Sequence, residues 1–359
     1  MAHRHGSIGW KALLFLLVAL ALLVASCAPA APAPTPTAPP AATSKPAATA
    51  PTATPVPPSP TPKKVVKLVS GESSPGFNEV FHGMGLEKGF YKEEGLDVEV
   101  LGLGSSENLK AMVAGREDTV HMNPFTAMPA IAQGADMVLV ASSQAIRDIL
   151  IVKEGINSVK DLEGRSFGTE AVGSQPYVIA QRLFTKNGLD PKKVTMVSIG
   201  NDSARAAAIF AGRVDATTVG LENLPMVEKT PGVKVLLAVR EALPELSLAS
   251  GIFAQGKLMR EQPDVVKSYL KARMRGVRYA LDHKDEAVAL AMKILKSEDK
   301  AGLSRTYDDY MKAKVFDANF VFTPEQLDAV QEALITLGTI KQKVPFDKMA
   351  NVKFAKELV

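Results

Sequence analysis

Short apolar runs and helical patterns alternate along the chain from residue 63 onward, which is typical of an α/β fold. The apolar run at residues 65–69 predicts a first strand, and a mostly helical stretch follows at residues 77–94. The same alternation predicts, in order, a strand at 96–103, a helix at 105–114, a strand at 119–122, a helix opened by Pro124, and strands at 137–141 and 149–152.

One succession of elements occurs twice in the chain. Each copy has a helix, a Gly-Leu-Asp turn, a strand, a second helix and an Ala-Gly-Arg-x-Asp turn. The first turn lies at residues 95–97 and 188–190, and the second at residues 114–118 and 211–215. The glycine of each turn can adopt the left-handed conformation that ends a helix. The repeat predicts two lobes built on the same plan.

The first 26 residues have the pattern of a secretory signal. Arg4 and Lys11 supply positive charge, and the apolar run at residues 12–24 is too short to cross a bilayer of about 30 Å as a helix. The run ends in Val-Ala-Ser before Cys27, which resembles a bacterial lipobox, where cleavage leaves a cysteine that carries lipid. Cys27 is the only cysteine, so we predict lipidation there and no disulfide within the chain.

Residues 27–62 consist mainly of Ala, Pro and Thr, with no aromatic residue and Lys45 as the single charge. Such a segment cannot bury a core, and its prolines favour extended conformations. It is therefore expected to be a linker that holds a folded domain away from a membrane.

Composition and charge narrow the class of protein. With 46% hydrophobic and 22% charged residues, the 359-residue chain has the composition of a globular protein and is long enough for two lobes. Lys and Arg number 42 and Asp and Glu number 38, a near balance that argues against a nucleic-acid partner.

Three segments of the folded part carry a family signature. Residues 88–98 read Lys-Gly-Phe-Tyr-Lys-Glu-Glu-Gly-Leu-Asp-Val, residues 159–165 read Val-Lys-Asp-Leu-Glu-Gly-Arg, and the third is the repeated Ala-Gly-x-x-Asp element. In this order they resemble the periplasmic binding proteins of the alkanesulfonate, nitrate and thiamine-pyrimidine group, over about residues 65–275. The resemblance implies a solute-binding lipoprotein of an ABC importer.

The resemblance also implies a type II binding-protein fold, in which two α/β lobes joined by two crossovers close on a ligand by hinge motion. The helical tail from residue 257 is expected to pack onto the first lobe. From local pattern, we expect crossings near residues 150–152 and 250–253, lobe 1 at residues 63–151 and 250–359, and lobe 2 at residues 152–249.

Ligands of open α/β sheets lie beyond the carboxyl ends of the strands, where helices present free N–H groups. With two lobes facing each other, the loops at these ends are expected to line one cleft. The predicted ligand-binding residues of the first lobe and hinge are Ser73, Ser74, Phe77, Ser105, Ser106, Asn123 and Ser143. Those of the second lobe are Ser174, Gln175, Tyr177, Asn201, Ser203, Glu222 and Asn223.

Two classes of small solute remain open. An alkanesulfonate-like anion would use the helix N-termini, whereas a heteroaromatic vitamin, pyrimidine or flavin-type nutrient would stack on Phe77, Phe125 or Tyr177. The predicted strand-end loops hold no Arg or Lys, which favours an uncharged or aromatic solute.

An enzyme of the same fold is the main alternative. Pyrimidine synthases that resemble this group carry a cysteine-rich motif, and desulfinases use a nucleophilic cysteine; the only cysteine here is the predicted lipidation site. His82, His121 and His283 show no paired metal-ligand spacing, so neither a metal site, a cofactor nor catalysis is predicted. A further alternative is an interaction lipoprotein without transport. The prediction is a monomer outside the cytoplasm, anchored to the membrane through Cys27, with ABC permease and ATPase subunits as partners.

Overall fold

The computed structural model describes residues 65–72 and 76–359. The predicted signal, the lipidation site at Cys27, the linker, and two predicted ligand contacts, Ser73 and Ser74, lie outside the described residues.

Ten strands form the sheets. They are β1 (Val66–Glu72), β2 (Leu96–Gly102), β3 (Thr119–Met122), β4 (Met137–Ala141), β5 (Asp148–Lys153), β6 (Ser166–Thr169), β7 (Thr195–Ser198), β8 (Ala216–Gly220), β9 (Val233–Ala238) and β10 (Gly251–Gln255).

Fifteen α-helices of the described residues cover these strands. They are α1 (Glu79–Glu87), α2 (Phe90–Glu93), α3 (Ser105–Val113), α4 (Pro124–Ala132), α5 (Gln175–Lys186), α6 (Asp202–Phe210), α7 (Leu224–Lys229), α8 (Val239–Ala242), α9 (Gly256–Glu261), α10 (Pro263–Asp282), α11 (Lys284–Leu295), α12 (Lys300–Lys312), α13 (Pro324–Thr336), α14 (Phe346–Met349) and α15 (Lys353–Glu357). None of the described helices combines the length and the apolar character that a membrane crossing requires.

The two predicted lobes correspond to two five-stranded sheets with the same topology. The first has the order β2-β1-β3-β10-β4 and the second the order β7-β6-β8-β5-β9. In each sheet the first three strands are parallel, and the fourth is an antiparallel strand that the chain contributes after a crossing. The predicted two-lobed α/β fold is therefore confirmed.

The repeated turns have the same structural role in both lobes. Asp118 accepts a hydrogen bond from the backbone N–H of Val69 at 2.8 Å, and Asp215 accepts one from that of Ser166 at 2.9 Å. Each aspartate thus binds a parallel strand of its own lobe, β1 in the first and β6 in the second. The glycines of these turns, Gly115 and Gly212, have φ values of 69° and 71°. A side chain there would meet the steric penalty that glycine avoids.

The first crossing lies earlier than the sequence pattern suggests. Residues 150–152 belong to β5, which pairs with β8 and β9 of the second sheet, so the chain leaves the first lobe within residues 142–147. The return lies within residues 239–250, between β9 and β10. An apolar strand has the same sequence pattern in either sheet, so the pattern alone could not show to which sheet β5 belongs.

The C-terminal helices pack onto more than the first lobe. Helix α10 lies against α1, where Gly276 contacts the backbone of Gly85 so closely that a Cβ would overlap it. Helix α13 instead places Leu327 and Val330 in a buried cluster that also contains Phe125 of the first lobe and Phe184 of the second. The tail therefore packs onto both lobes, because the apolar face of α13 is shared between them.

Candidate functional site

A cavity of about 920 Å³ lies between the carboxyl ends of the two sets of parallel strands. Its lining comes from the segments that follow β1, β2 and β3 in the first lobe and β6, β7 and β8 in the second. The two crossing segments complete it. This volume is within the range of about 300–1,000 Å³ that is typical of small-molecule sites.

Most predicted contacts line this cavity. They are Phe77, Ser105, Ser106, Asn123, Ser174, Gln175, Asn201, Ser203, Glu222 and Asn223. The topology brings them together because the strands that precede them end at the same edges of the two sheets.

Two other predicted contacts lie elsewhere. Ser143 is buried, and its Oγ lies 3.1 Å from Nε2 of His82, which directs it into the first lobe. Tyr177 is half-buried on α5 and does not line the cavity. Successive helical residues point in directions about 100° apart, so only the first residues of α5 face the space between the lobes. The prediction that Tyr177 stacks on a ligand lacks the geometry it needs.

The aromatic platform expected from Phe77 and Phe125 is also missing. These side chains are 2% and 1% exposed, so almost no ring surface faces the cavity. Phe77 packs edge-on against Tyr310, with ring centroids 5.2 Å apart. Both rings belong to the core beneath the site, which leaves polar groups to contact a ligand.

Four helices begin at the cavity, and two of them are capped by side chains. Asn123 Oδ1 accepts from the Phe125 N–H at the start of α4, and Asn201 Oδ1 accepts from the Ala204 N–H at the start of α6. Helices α3 and α5 have no such cap. At the start of α5, Ser174 Oγ instead donates to the Ala171 carbonyl at 2.7 Å. Their first N–H groups remain available on opposite walls.

One hydrogen bond joins the two walls directly. Asn123 Nδ2, in the first lobe, donates to Gln175 Oε1 of the second at 2.5 Å and to the Ala249 carbonyl at 3.0 Å. A second connection lies in the first crossing, where Arg147 binds Glu222 of the second lobe at 3.0 and 3.1 Å. Arg147 Nε also donates to the hydroxyl of Tyr310 on α12. The lobes are thus held together on two sides of the cavity.

The two crossing segments also line the cavity with buried polar groups. Gln144 Nε2 and Ser250 Oγ have no hydrogen-bond partner within the described residues. Unsatisfied buried donors and acceptors are rare in folded proteins. The sequence analysis missed both, because it sought ligand contacts mainly at strand ends and chose Ser143 as its only contact at the hinge.

Two arginines line the cavity, and neither of them lies in the predicted strand-end loops. Arg147 lies in the first crossing, and Arg205 extends from the second turn of α6. Arg205 is already bound to the Thr218 and Gly200 carbonyls and to Asp202. Arginine therefore reaches the cleft from outside the predicted strand-end loops, and both guanidinium groups are paired within the protein.

The lining carries more carboxylates than cations. Asp148, Glu170, Asp202 and Glu222 line it together with the two arginines. Burial and the neighbouring Asp202 raise the pKa of Asp148 to about 6, and burial also raises the pKa of Glu170. Burial opposes ionisation of Glu222 too, but Arg147 outweighs it and lowers the pKa. The cavity is therefore an acidic environment at neutral pH.

A second group of titratable side chains lies below the cavity, inside the first lobe. It comprises Glu72, Glu79, His82 and His121, all buried, and His121 also lines the cavity. Burial lowers the pKa of both imidazoles, and burial with the nearby Glu72 raises that of Glu79. Burial would also raise the pKa of Glu72, but the Arg273 guanidinium outweighs it and holds this pKa well below its usual range.

Known proteins resemble this chain in sequence and in fold. The sequence model described as NMT1/THI5 like matches residues 80–287. YtlA of Bacillus subtilis (strain 168), named as a binding protein, is 20% identical over 279 residues, which cover 76% of this chain and 83% of YtlA. The 4-amino-5-hydroxymethyl-2-methylpyrimidine phosphate synthase of Legionella pneumophila is 26% identical over 219 residues, 56% of this chain and 65% of the synthase.

Among solved structures, the periplasmic aliphatic sulphonate binding protein SsuA of Escherichia coli superimposes with a TM-score of 0.66 at 17% identity. The match covers 79% of this chain and 91% of SsuA. This likeness shows a periplasmic-binding-protein fold, and the family resemblance predicted from the sequence is confirmed. The family match spans more than half of the chain, which therefore belongs to the NMT1/THI5-like family.

Proposed function

We propose that the protein is the extracytoplasmic solute-binding component of an ABC importer, and that it binds a small polar solute in the cavity between its lobes. The observation that carries this proposal is the pair of buried, unpartnered groups, Gln144 Nε2 and Ser250 Oγ, in the cavity wall. Leaving such a group without a hydrogen bond costs about 1–3 kcal/mol. A solute that supplies the missing bonds recovers this free energy.

The charges favour a neutral or cationic solute that carries hydrogen-bond donors. Four carboxylates face two arginines, and the arginines already bind Glu222, Asp202 and backbone carbonyls. An alkanesulfonate would enter an acidic cavity and find no unpaired guanidinium in the described lining. A solute with amino or amide nitrogens would donate to Asp148 and Glu170 instead.

The two contacts that join the lobes support a role in transport. A solute that contacts both walls stabilises only the closed arrangement, in which Asn123 reaches Gln175. A permease that recognises closure would then receive only loaded protein. The structural likeness to SsuA supports this part of the proposal.

Differential scanning fluorimetry with a solute panel tests the ligand class. We expect amino-substituted pyrimidines and other neutral or cationic nitrogen compounds to raise the melting temperature, whereas taurine, other sulfonates and nitrate have no effect. The Asp148→Asn variant should bind the best compound at least about 10-fold more weakly, since it loses a charged acceptor. The matched control Glu154→Gln changes an exposed carboxylate of the same lobe and should bind normally.

The opposite ranking would contradict the ligand class. If a sulfonate gave the largest shift and Asp148→Asn tightened its binding, the acidic lining would not select the solute. Complete failure of every compound in the panel to bind would reject the binding proposal for these classes.

The relative from Legionella pneumophila raises an enzymatic alternative, because its name is that of a synthase. The described cavity lining contains neither Cys nor Lys, although serine and carboxylate side chains there could also act as nucleophiles. Binding without turnover is proposed because YtlA is named as a binding protein and SsuA as a sulphonate binding protein. Mass spectrometry of the bound solute after prolonged incubation separates the two functions, since an enzyme would convert the solute and a binding protein would return it unchanged.

We also propose that Cys27 carries a lipid that anchors the protein outside the cytoplasm, with the linker as a tether. The support is the sequence before Cys27 and its place ahead of the Pro-rich segment. Cells grown with labelled fatty acid should label the wild-type protein and leave Cys27→Ser unlabelled. Label retained by Cys27→Ser would show that the lipid is attached elsewhere.

A further inference from the structure

Four potential metal ligands converge inside the first lobe from three elements. Glu72 ends β1, Glu79 and His82 lie one turn apart on α1, and His121 lies on β3 next to β1 in the sheet. They are 8%, 8%, 2% and 2% exposed. The two histidines are 39 residues apart in the sequence, so no short motif indicates that they meet.

The ligand atoms of this cluster are close enough to share one ion. One nitrogen or oxygen from each side chain lies within 4.8 Å of those of the other three. His121 Nδ1 is 3.4 Å from Glu72 Oε2, and His82 Nδ1 is 3.9 Å from Glu79 Oε2. In a tetrahedral zinc site with bonds of about 2.0–2.1 Å, neighbouring ligand atoms are about 3.3–3.4 Å apart. Small side-chain movements therefore complete such a site.

The imidazoles have free coordination positions. His82 Nδ1 and both nitrogens of His121 are buried without a hydrogen-bond partner within the described residues. A buried imidazole normally has such partners, so this cluster leaves the donor atoms of a metal site unused.

Neighbouring side chains hold these four residues in place by hydrogen bonds, as residues around a metal site commonly hold the metal ligands. Ser143 Oγ lies 3.1 Å from His82 Nε2, which leaves Nδ1 for an ion. Asn78 Nδ2 donates to Glu79 Oε1 at 3.0 Å, and Arg273 binds both oxygens of Glu72. Because Arg273 neutralises much of the charge of Glu72, Glu79 would be the main anionic ligand, and the ion would displace the proton that burial favours on its carboxyl group.

We propose that Glu79, His82 and His121, with Glu72 as a fourth ligand, form a binding site for a divalent first-row transition ion such as Zn²⁺. Two imidazoles and carboxylate oxygens are a donor set suited to this class of ion. The ion would connect α1 to the ends of β1 and β3 and so stabilise the first lobe. His121 would then be fixed in the cavity wall by the ion. This site is separate from the proposed solute contacts Gln144 and Ser250.

Cobalt titration of the chelator-treated full-length protein tests the site. We expect one equivalent of Co²⁺ to produce the visible absorption bands of a four-coordinate nitrogen and oxygen site, and one equivalent of Zn²⁺ to abolish them. The melting temperature should rise with Zn²⁺ concentration by mass action. The His82→Gln and His121→Gln variants should each bind Co²⁺ at least 100-fold more weakly (about 2.7 kcal/mol or more).

The matched control is His283→Gln, which removes an exposed imidazole that does not belong to the cluster and should bind Co²⁺ normally. Circular dichroism checks that each variant is folded, and Glu79→Gln provides a nearly isosteric third variant. If no variant folds, X-ray absorption of the zinc-loaded wild type decides, since the proposal requires two imidazoles per ion. His3 and His5 occur in every variant, so binding by these residues would survive all the substitutions. Unchanged Co²⁺ binding in folded variants, or no stoichiometric binding by the wild type, would overturn the proposal.

Discussion

Glu117 is a buried carboxylate that couples the stability of this protein to pH. Glu117 is 1% exposed, and both of its carboxylate oxygens lack a hydrogen-bond partner within the described residues. Burial raises its pKa to about 7. Since the folded value lies above that of the unfolded chain, folding favours the protonated form.

The Glu117→Gln substitution isolates this effect. The contribution of Glu117 to stability is fully present below pH 4.5 and is lost as the pH rises through about 7. The unfolding free energy of the wild type minus that of Glu117→Gln should therefore fall by about 2–3 kcal/mol between pH 5 and pH 8. Urea denaturation at the two pH values measures this difference. In the control Glu99→Gln, which changes an exposed carboxylate, the difference should stay constant.

Single-residue roles were only partly predictable from the sequence. Ser105 and Asn123 line the cavity as expected, because their position after a strand determines where they lie. Arg147 and Gln144 were missed because they lie within a crossing, and the meeting of His82 with His121 depends on strand pairing between distant segments. Local patterns carry no information on such contacts.

At the scale of elements, the repeated turns show how one short motif attaches a turn to a strand in both lobes. In both lobes the aspartate of the Ala-Gly-Arg-x-Asp turn binds the backbone of a parallel strand, β1 in the first lobe and β6 in the second. Asp215 makes further bonds, to the hydroxyl of Ser166 at 2.7 Å and to Lys153 at 3.0 Å. These bonds outweigh the effect of burial and lower its pKa to about 2.

The two aspartates should therefore differ in their contribution to stability. Asp215→Ala is expected to lower the free energy of unfolding by about 3 kcal/mol at pH 7, and Asp118→Ala by about 1.5 kcal/mol, because a hydrogen bond to an ionised group is worth about 1.5–3 kcal/mol and Asp215 makes several. Thermal denaturation of the two variants measures the order. Equal losses, or a larger loss in Asp118→Ala, would contradict this account of the turn.

Element positions were predictable where local periodicity and glycine turns agree. Strands β3 and β4 span the predicted residues, and α4 begins at Pro124 as expected. The assignment of β5 to the second sheet was not predictable, because its apolar run would suit a central strand of either sheet. The shared packing of α13 likewise depends on which surfaces the rest of the fold leaves uncovered.

At the scale of the whole molecule, the repeat explains why a cavity forms at all. Two sheets of equal topology present the carboxyl ends of their parallel strands to each other, and both crossings pass through the same region. Polar residues at strand ends then surround one space. The excess of carboxylates in the cavity lining arises only in the folded protein, since Asp148 and Glu222 belong to segments far apart in the sequence.

A crystal structure with the solute that gives the largest thermal shift tests the central claim most directly. The account predicts the unmodified solute in the cavity between the two sheets, within hydrogen-bond distance of Gln144 Nε2 and Ser250 Oγ, with a donor nitrogen facing Asp148. A solute bound at another surface, or bound here while Gln144 and Ser250 remain without partners, would contradict it.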